Sequence, residues 1–162
     1  NVNASSEQLE KECFVEDTLA ILKEYDFPPS QLWIEITERC RDLPISMIKK
    51  TVTAFREAGI HITMDDYGTG SSSSQMMLEL PVEGIKIDMF FVKDILEEKK
   101  KQALVIGMIN FANAADLKIC IEGIENDSLE SYLRQFDVTC FQGYHYSRPI
   151  CQDELMKLLI KP

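Results

Sequence analysis

The sequence predicts an α/β protein built on parallel strands, and three observations support this. Short apolar, β-rich runs alternate with amphipathic stretches about six times along the chain. Acidic residues follow several of the apolar runs directly. No linker or repeat divides the 162 residues, so we expect one domain over residues 1–162. A doubly wound sheet and a barrel both satisfy this alternation.

The predicted strands are short runs rich in β-branched and aromatic residues. The run LWIEITE and the run IHITM are typical of them. Strands are predicted at 1–5, 32–38, 60–64, 84–88, 117–122 and 139–144.

The predicted helices have apolar residues at helical spacing and end at helix-breaking signals. Pro28 and Pro29 end the first helix, Gly59 caps the second and Pro81 ends the third. Helices are predicted at 16–26, 44–59, 71–81, 98–116, 127–136 and 152–160.

The charge balance excludes some classes of partner. The chain has 17 Lys and Arg against 27 Asp and Glu, a formal net charge of −10. Nucleic-acid polymers and anionic membrane surfaces bind surplus positive charge, so we expect neither as the main partner. No apolar run approaches the roughly 18 residues of a membrane helix, which predicts no membrane segment. A small phosphate ligand stays open if a bound metal supplies positive charge.

The five cysteines predict free thiols. They are odd in number, scattered, and form no pair separated by two residues. We therefore expect a reducing, cytoplasmic environment without a disulfide framework or zinc site. The chain begins with Asn1 inside an apparent strand, so we also expect it to be part of a longer protein.

Polar residues collect at the carboxyl ends of the predicted strands, where parallel α/β proteins carry their sites. This set comprises Asn3, Glu35, Glu38, Asp65, Asp66, Lys86, Asp88, Glu122, Glu125 and Gln142. Clustered carboxylates repel each other unless a cation compensates, and oxygen ligands suit Mg²⁺ or Mn²⁺. The pattern favours metal-assisted hydrolysis of a phosphate ester. An acid-rimmed sheet with helix caps and no site is the alternative.

Several motifs, in order, resemble the EAL domain family. These are NVNAS (1–5), WIEITE (33–38), DDYGTGSSS (65–73), LPVEGIKID (80–88), IEGIE (121–125) and QGYHYSRP (142–149). The resemblance implies a phosphodiesterase that hydrolyses cyclic di-GMP to linear pGpG. It also implies a modified (β/α)8 TIM-like barrel in place of a doubly wound sheet.

The resemblance further implies roles for individual residues. Metal ligands are expected at Asn3, Glu35, Asp65, Asp66 and Glu122. Glu122, Lys86 and Asp66 are expected to be catalytic, with Lys86 holding water or phosphate and not serving as a structural ion-pair partner. Glu125 and Gln142 are expected to support the site, and Glu38 to anchor the loop from Tyr67 to Ser74.

The chain contains no Glu-Ala-Leu tripeptide, which in the family lies on an earlier strand. The resemblance therefore implies a partial domain, strands three to eight of the barrel, with about six βα units. We expect these 162 residues alone to self-associate, as a homodimer or larger, and to be impaired in turnover. The alternative is a non-catalytic module that binds cyclic di-GMP or a protein.

Overall fold

Six parallel strands form one sheet in a computed structural model that describes residues 1–37, 40, 43–70 and 73–159. The strands are β1 (Val2–Ala4), β2 (Trp33–Thr37), β3 (His61–Tyr67), β4 (Gly84–Ile87), β5 (Lys118–Ile121) and β6 (Cys140–Phe141). All neighbouring pairs are parallel, which confirms the predicted class.

The strands lie in the sheet in the order in which they occur along the chain. A doubly wound sheet reverses direction at a switch point, whereas a barrel adds each strand beside the previous one. The barrel-like topology is therefore the correct alternative. Within the described residues β1 and β6 are the two edges and do not pair, so the sheet is not closed.

Seven helices and a 3₁₀ turn at Pro29–Gln31 lie between the described strands, and an eighth helix follows β6. The helices are α1 (Ser6–Leu9), α2 (Phe14–Glu24), α3 (Ile45–Glu57), α4 (Ser73–Glu79), α5 (Met89–Val92), α6 (Lys99–Ala114), α7 (Asp127–Leu133) and α8 (Gln152–Leu159). The six predicted helices are all present, with ends that differ by up to three residues.

The helices α1 and α5 were not predicted. The Ser5 side chain accepts a hydrogen bond from Gln8 N, and Gln8 Oε1 accepts one from Ser5 N. This capping box stabilises α1, and the sequence Ser-x-x-Gln could have revealed it. At α5, Asp88 Oδ1 accepts a hydrogen bond of 2.7 Å from Phe90 N. Asp88 is therefore a helix cap, the structural alternative considered for an acid after a strand.

The core lies between one face of the sheet and the helices. Side chains alternate between the two faces of a strand, and the helix-facing positions are apolar and at most 1% exposed. They are Ile34, Ile36, Ile62, Met64, Ile85, Ile87, Ile119 and Ile121. Buried residues of α3 and α6, including Phe55 and Ile109, complete this core. The opposite face therefore carries the polar positions of the same strands.

Strand β3 runs farther than predicted and contains an irregularity. Its pairing with β4 shifts register between Met64 and Tyr67, so one extra residue is accommodated on β3. Asp66 adopts a left-handed conformation with φ 53°. The strand continues through the two acids that the sequence suggested would end it.

No helix in the described part of the chain is long and apolar enough to cross a membrane.

Candidate active site

A lysine surrounded by carboxylates occupies the polar face of the sheet. Lys86 lies on β4 and is buried. Its Nζ lies within ion-pair distance of three acids: 3.0 Å from Glu35 Oε2, 3.1 Å from Asp65 Oδ1 and 2.6 Å from Glu122 Oε1. The structure thus brings together side chains from β2, β3 and β4 and from the residue that follows β5. The expectation that Lys86 is not an ion-pair partner was wrong.

The titration of this cluster reflects burial and opposite charge together. Burial alone lowers the pKa of Lys86, but hydrogen bonds to Glu122 and Glu35 outweigh it and raise that pKa above its ordinary value. Burial raises the pKa of Glu122, although Lys86 opposes this shift. One ammonium therefore faces three carboxylates, and the cluster has surplus negative charge.

The surplus charge and the ligand atoms fit a metal cation. Carboxylate oxygens of Asp65, Asp66 and Glu122 lie within 4.8 Å of one another. Asp65 Oδ1 is buried and, although 3.1 Å from Lys86 Nζ, accepts no hydrogen bond from a described residue. A buried carboxylate oxygen needs a partner to offset its desolvation. An all-oxygen donor set of this kind is suited to hard divalent cations.

The bulge in β3 explains how both aspartates reach one site. In a regular strand, Asp65 and Asp66 would point to opposite faces of the sheet. The extra residue and the left-handed backbone at Asp66 let both carboxylates lie near Glu122. Tyr67 then returns to the helix side, where its ring stacks on Phe111 at 6.3 Å.

Asn3, the amide predicted as a ligand, lies on β1 beside Glu35. Asn3 pairs in register with Glu35 on β2 and is exposed. However, it is Asn1 that contacts the cluster, since Asn1 Nδ2 donates a 2.8 Å hydrogen bond to Glu35 Oε1. Asn1 was missed by the sequence reasoning, because its contact with Glu35 depends on how β1 aligns with β2.

The two residues predicted to support the site line a cleft next to Glu122. Glu125 and Gln142 both border a cavity of about 210 Å³ that also includes Tyr144. The Gln142 main chain joins β6 to the segment that follows β5, because the Gln142 carbonyl accepts a hydrogen bond from Ile124 N. Of the remaining predictions, Glu38 and loop residues 71–72 lie outside the described residues, and the side chains of 73–74 are not described.

A second group of potential ligands consists of Asp127, Glu130 and His145. Its geometry is that of a surface ion-pair cluster. His145 Nε2 lies 3.0 Å from Glu130, and Arg134 also pairs with Glu130. The Asp127 side chain is 96% exposed. We therefore place the candidate site at Lys86 and its acids.

Comparisons with known proteins identify the family. The family model of the EAL domain matches residues 1–149. The cyclic di-GMP phosphodiesterase RocR of Pseudomonas aeruginosa is 30% identical over 155 residues, which cover 95% of this chain and 39% of RocR.

Solved structures of EAL proteins have the same fold. The EAL domain of Mycobacterium smegmatis DcpA superposes with a TM-score of 0.92 at 32% identity, covering 97% of this chain and 70% of that one. The EAL enzyme Bd1971, in its form with cAMP and cyclic di-GMP bound, also gives 0.92, at 30% identity, with coverages of 97% and 42%. The chain spans about a fifth to two fifths of the length of the curated relatives. The match over residues 1–149 establishes that the chain belongs to the EAL domain family.

Proposed function

We propose that residues 1–162 form strands three to eight of an EAL barrel that hydrolyses cyclic di-GMP to linear pGpG with Mg²⁺ or Mn²⁺. The observation that carries the proposal is the buried Lys86 with Glu35, Asp65 and Glu122 around it. Kinship with a named cyclic di-GMP phosphodiesterase and with a cyclic di-GMP-bound EAL structure supports the choice of substrate.

The proposed ligands of the divalent cation are Asn3, Glu35, Asp65, Asp66 and Glu122. When bound, the cation would supply an activated water and neutralise charge that develops on the phosphate. Two observations support this assignment: Asp65 Oδ1 accepts no hydrogen bond from a described residue, and one carboxylate oxygen each of Asp65, Asp66 and Glu122 lies within 4.8 Å of the others. The all-oxygen donor set supports a hard cation over zinc or copper.

The protein's own groups would orient water and substrate. Lys86 is held by carboxylates on neighbouring elements, so its ammonium can donate a hydrogen bond to water or phosphate oxygen from a fixed position. Glu122 would accept the proton of the attacking water at its carboxylate, beside Asp66. Glu125 and Gln142 would contact the substrate along the cleft that they line.

The test replaces Asp65 by Asn, which removes the charge and little volume. In the natural chain that contains these residues, Asp65→Asn should abolish most cyclic di-GMP turnover and weaken Mn²⁺ binding, measured by calorimetry, by at least tenfold. Asp153→Asn on the exposed start of α8 is the matched control and should change neither. Near wild-type turnover by Asp65→Asn would refute the assignment.

The same measurements separate the alternative function. A natural chain that binds cyclic di-GMP tightly but never produces pGpG, with Mg²⁺ or Mn²⁺ present, would replace the enzyme proposal by a non-catalytic binding module. Formation of pGpG that requires the metal and Asp65 would exclude that module.

A further inference from the structure

The segment that follows β6 is attached to helix α7 by the side chain of His145. Its Nε2 lies 3.0 Å from Glu130 Oε2 and 3.5 Å from Asp127 Oδ1. An ionised carboxylate offers only acceptor oxygens, so the His145 Nε2 carries the proton of this contact. The side chain of His145 is 23% exposed and that of Glu130 is 14% exposed, so the closer contact is largely shielded from water.

The carboxylate of Glu130 is also held from its other side. Arg134 Nε donates a 2.7 Å hydrogen bond to Glu130 Oε1, which leaves Oε2 for His145. The guanidinium of Arg134 lies over the ring of Phe141 on β6, 5.5 Å from its centroid. The acceptor that His145 uses therefore has a defined position between α7 and β6.

The main chain around His145 holds the same segment to the residues that follow β5. His145 N donates a 3.0 Å hydrogen bond to Ile124 O, and Ile124 N donates a 3.1 Å hydrogen bond to Gln142 O. Gln142 and Tyr144 border the cleft next to Glu122, whereas His145 is not among the residues that line it. The segment thus presents Gln142 and Tyr144 to the cleft and His145 to α7.

These contacts are compatible with a closed barrel. Helix α7 connects β5 to β6, and β5 is the strand with which β6 pairs. The further strands of the proposed barrel would pair with the other edge of β6. The contact between His145 and Glu130 joins consecutive elements of the chain, so barrel closure leaves it in place.

We propose that His145 is a positioning residue, which holds segment 142–147 against α7 and thereby fixes Gln142 and Tyr144 where they contact cyclic di-GMP. This inference rests on the proposed function. Contacts from the cleft wall act on the bound substrate and on the transition state alike. Their loss should therefore raise KM and leave kcat nearly unchanged.

The first experiment compares His145→Ala with His145→Gln in the natural chain that contains these residues. The glutamine amide can donate a hydrogen bond to Glu130 in place of the imidazole. His145→Ala should raise the KM for cyclic di-GMP about fivefold or more, with kcat within about twofold of wild type. His145→Gln should restore most of the KM. Calorimetry should find unchanged Mn²⁺ binding in both variants, because the segment carries none of the proposed metal ligands.

His61→Ala is the matched control. His61 Nδ1 lies 2.8 Å from Glu83 Oε2 at the amino ends of the strands, so this variant also loses a contact between histidine and glutamate. We expect no change in its KM. A rise in KM equal to that of His145→Ala would show a general effect of lost stability and overturn the proposal.

Hydrogen–deuterium exchange in EDTA tests the same contact without substrate or turnover. In His145→Ala, the amides of 142–147 should exchange about fivefold faster or more, while those of α6 keep their wild-type rates.

Unchanged exchange in 142–147 would overturn the proposal, and so would a wild-type KM in a His145→Ala chain that produces pGpG. A wild-type chain that produces no pGpG would refute the proposed function, and the exchange rates would still decide whether His145 holds the segment.

Discussion

Lys86 is the residue on which the site depends most, because its ammonium lies within ion-pair distance of three acids of the site. Ion pairs at an exposed surface contribute little to the stability of a protein. Removing one partner of a buried pair is costly, because it leaves a buried charge without its counter-charge. Lys86 is 5% exposed and Glu35 is also 5% exposed, so this pair belongs to the buried class. We therefore expect the lysine to stabilise the fold near the site whether or not it also contacts substrate.

We predict that Lys86→Met lowers the free energy of unfolding of the metal-free chain by about 3–5 kcal/mol, the range for breaking a buried ion pair. The measurement is urea denaturation at neutral pH in EDTA. Lys49→Met on the exposed side of α3 is the matched control and should change stability by less than about 0.5 kcal/mol. Equal effects of the two substitutions on the free energy of unfolding would show that the buried carboxylates do not need Lys86 as a counter-charge.

At the scale of elements, the rim of the site depends on close backbone contact between β6 and the segment after β5. A Cβ atom at Gly143 would overlap the backbone of Ile124. His145 N and Gln142 O both bond to the Ile124 main chain, so the two segments cannot separate without losing hydrogen bonds. Glycine at 143 therefore allows Gln142 to lie beside Glu122 and Glu125.

We predict opposite effects of the same substitution at two glycines. Gly143→Ala should destabilise the protein by about 1–3 kcal/mol, because the overlap of the new Cβ with the Ile124 backbone must be relieved by backbone movement. Gly107→Ala, in the exposed middle of α6 with no atom near the new Cβ, should stabilise it by up to about 1 kcal/mol. Thermal denaturation of both variants checks the signs. A neutral Gly143→Ala would mean that the rim segments are not in contact.

At the scale of the whole molecule, the sheet has two unpaired edges within the described residues, β1 and β6. Unpaired strand edges expose backbone donors and acceptors and pair readily with other chains. Large apolar side chains on the final helix are also exposed, including Leu155, Met156, Leu158 and Leu159. These features favour association between copies of this chain.

We predict that the 162 residues expressed alone self-associate and show little or no cyclic di-GMP turnover. Each buried polar group left unsatisfied costs about 1–3 kcal/mol, and pairing between edges removes that cost. Size-exclusion chromatography with light scattering, run beside a turnover assay with Mg²⁺ or Mn²⁺, measures both properties. A stable monomer with robust turnover would contradict both parts of the prediction.

Much of the fold could be predicted from the sequence, because strand and helix signals are local. The runs that became β2 and β4 have the expected β-rich character, and α3 begins after Pro44 and ends before Gly59 as predicted. The long helix α6 was predicted within two residues at each end. Strand β6 was predicted over six residues but pairs over only two, because pairing depends on the neighbouring strand.

The sequence by itself determined that acids would collect at one edge of a parallel sheet, since the carboxyl ends of parallel strands meet there. Only the tertiary structure decided that Lys86 lies buried among three of them and that the β3 bulge places Asp65 and Asp66 on one side. It also decided that Cys120 and Cys140, twenty residues apart, are direct partners. The physical reason is that alternation along a strand fixes only the face of a side chain. Its neighbours depend on register between strands that are distant in sequence.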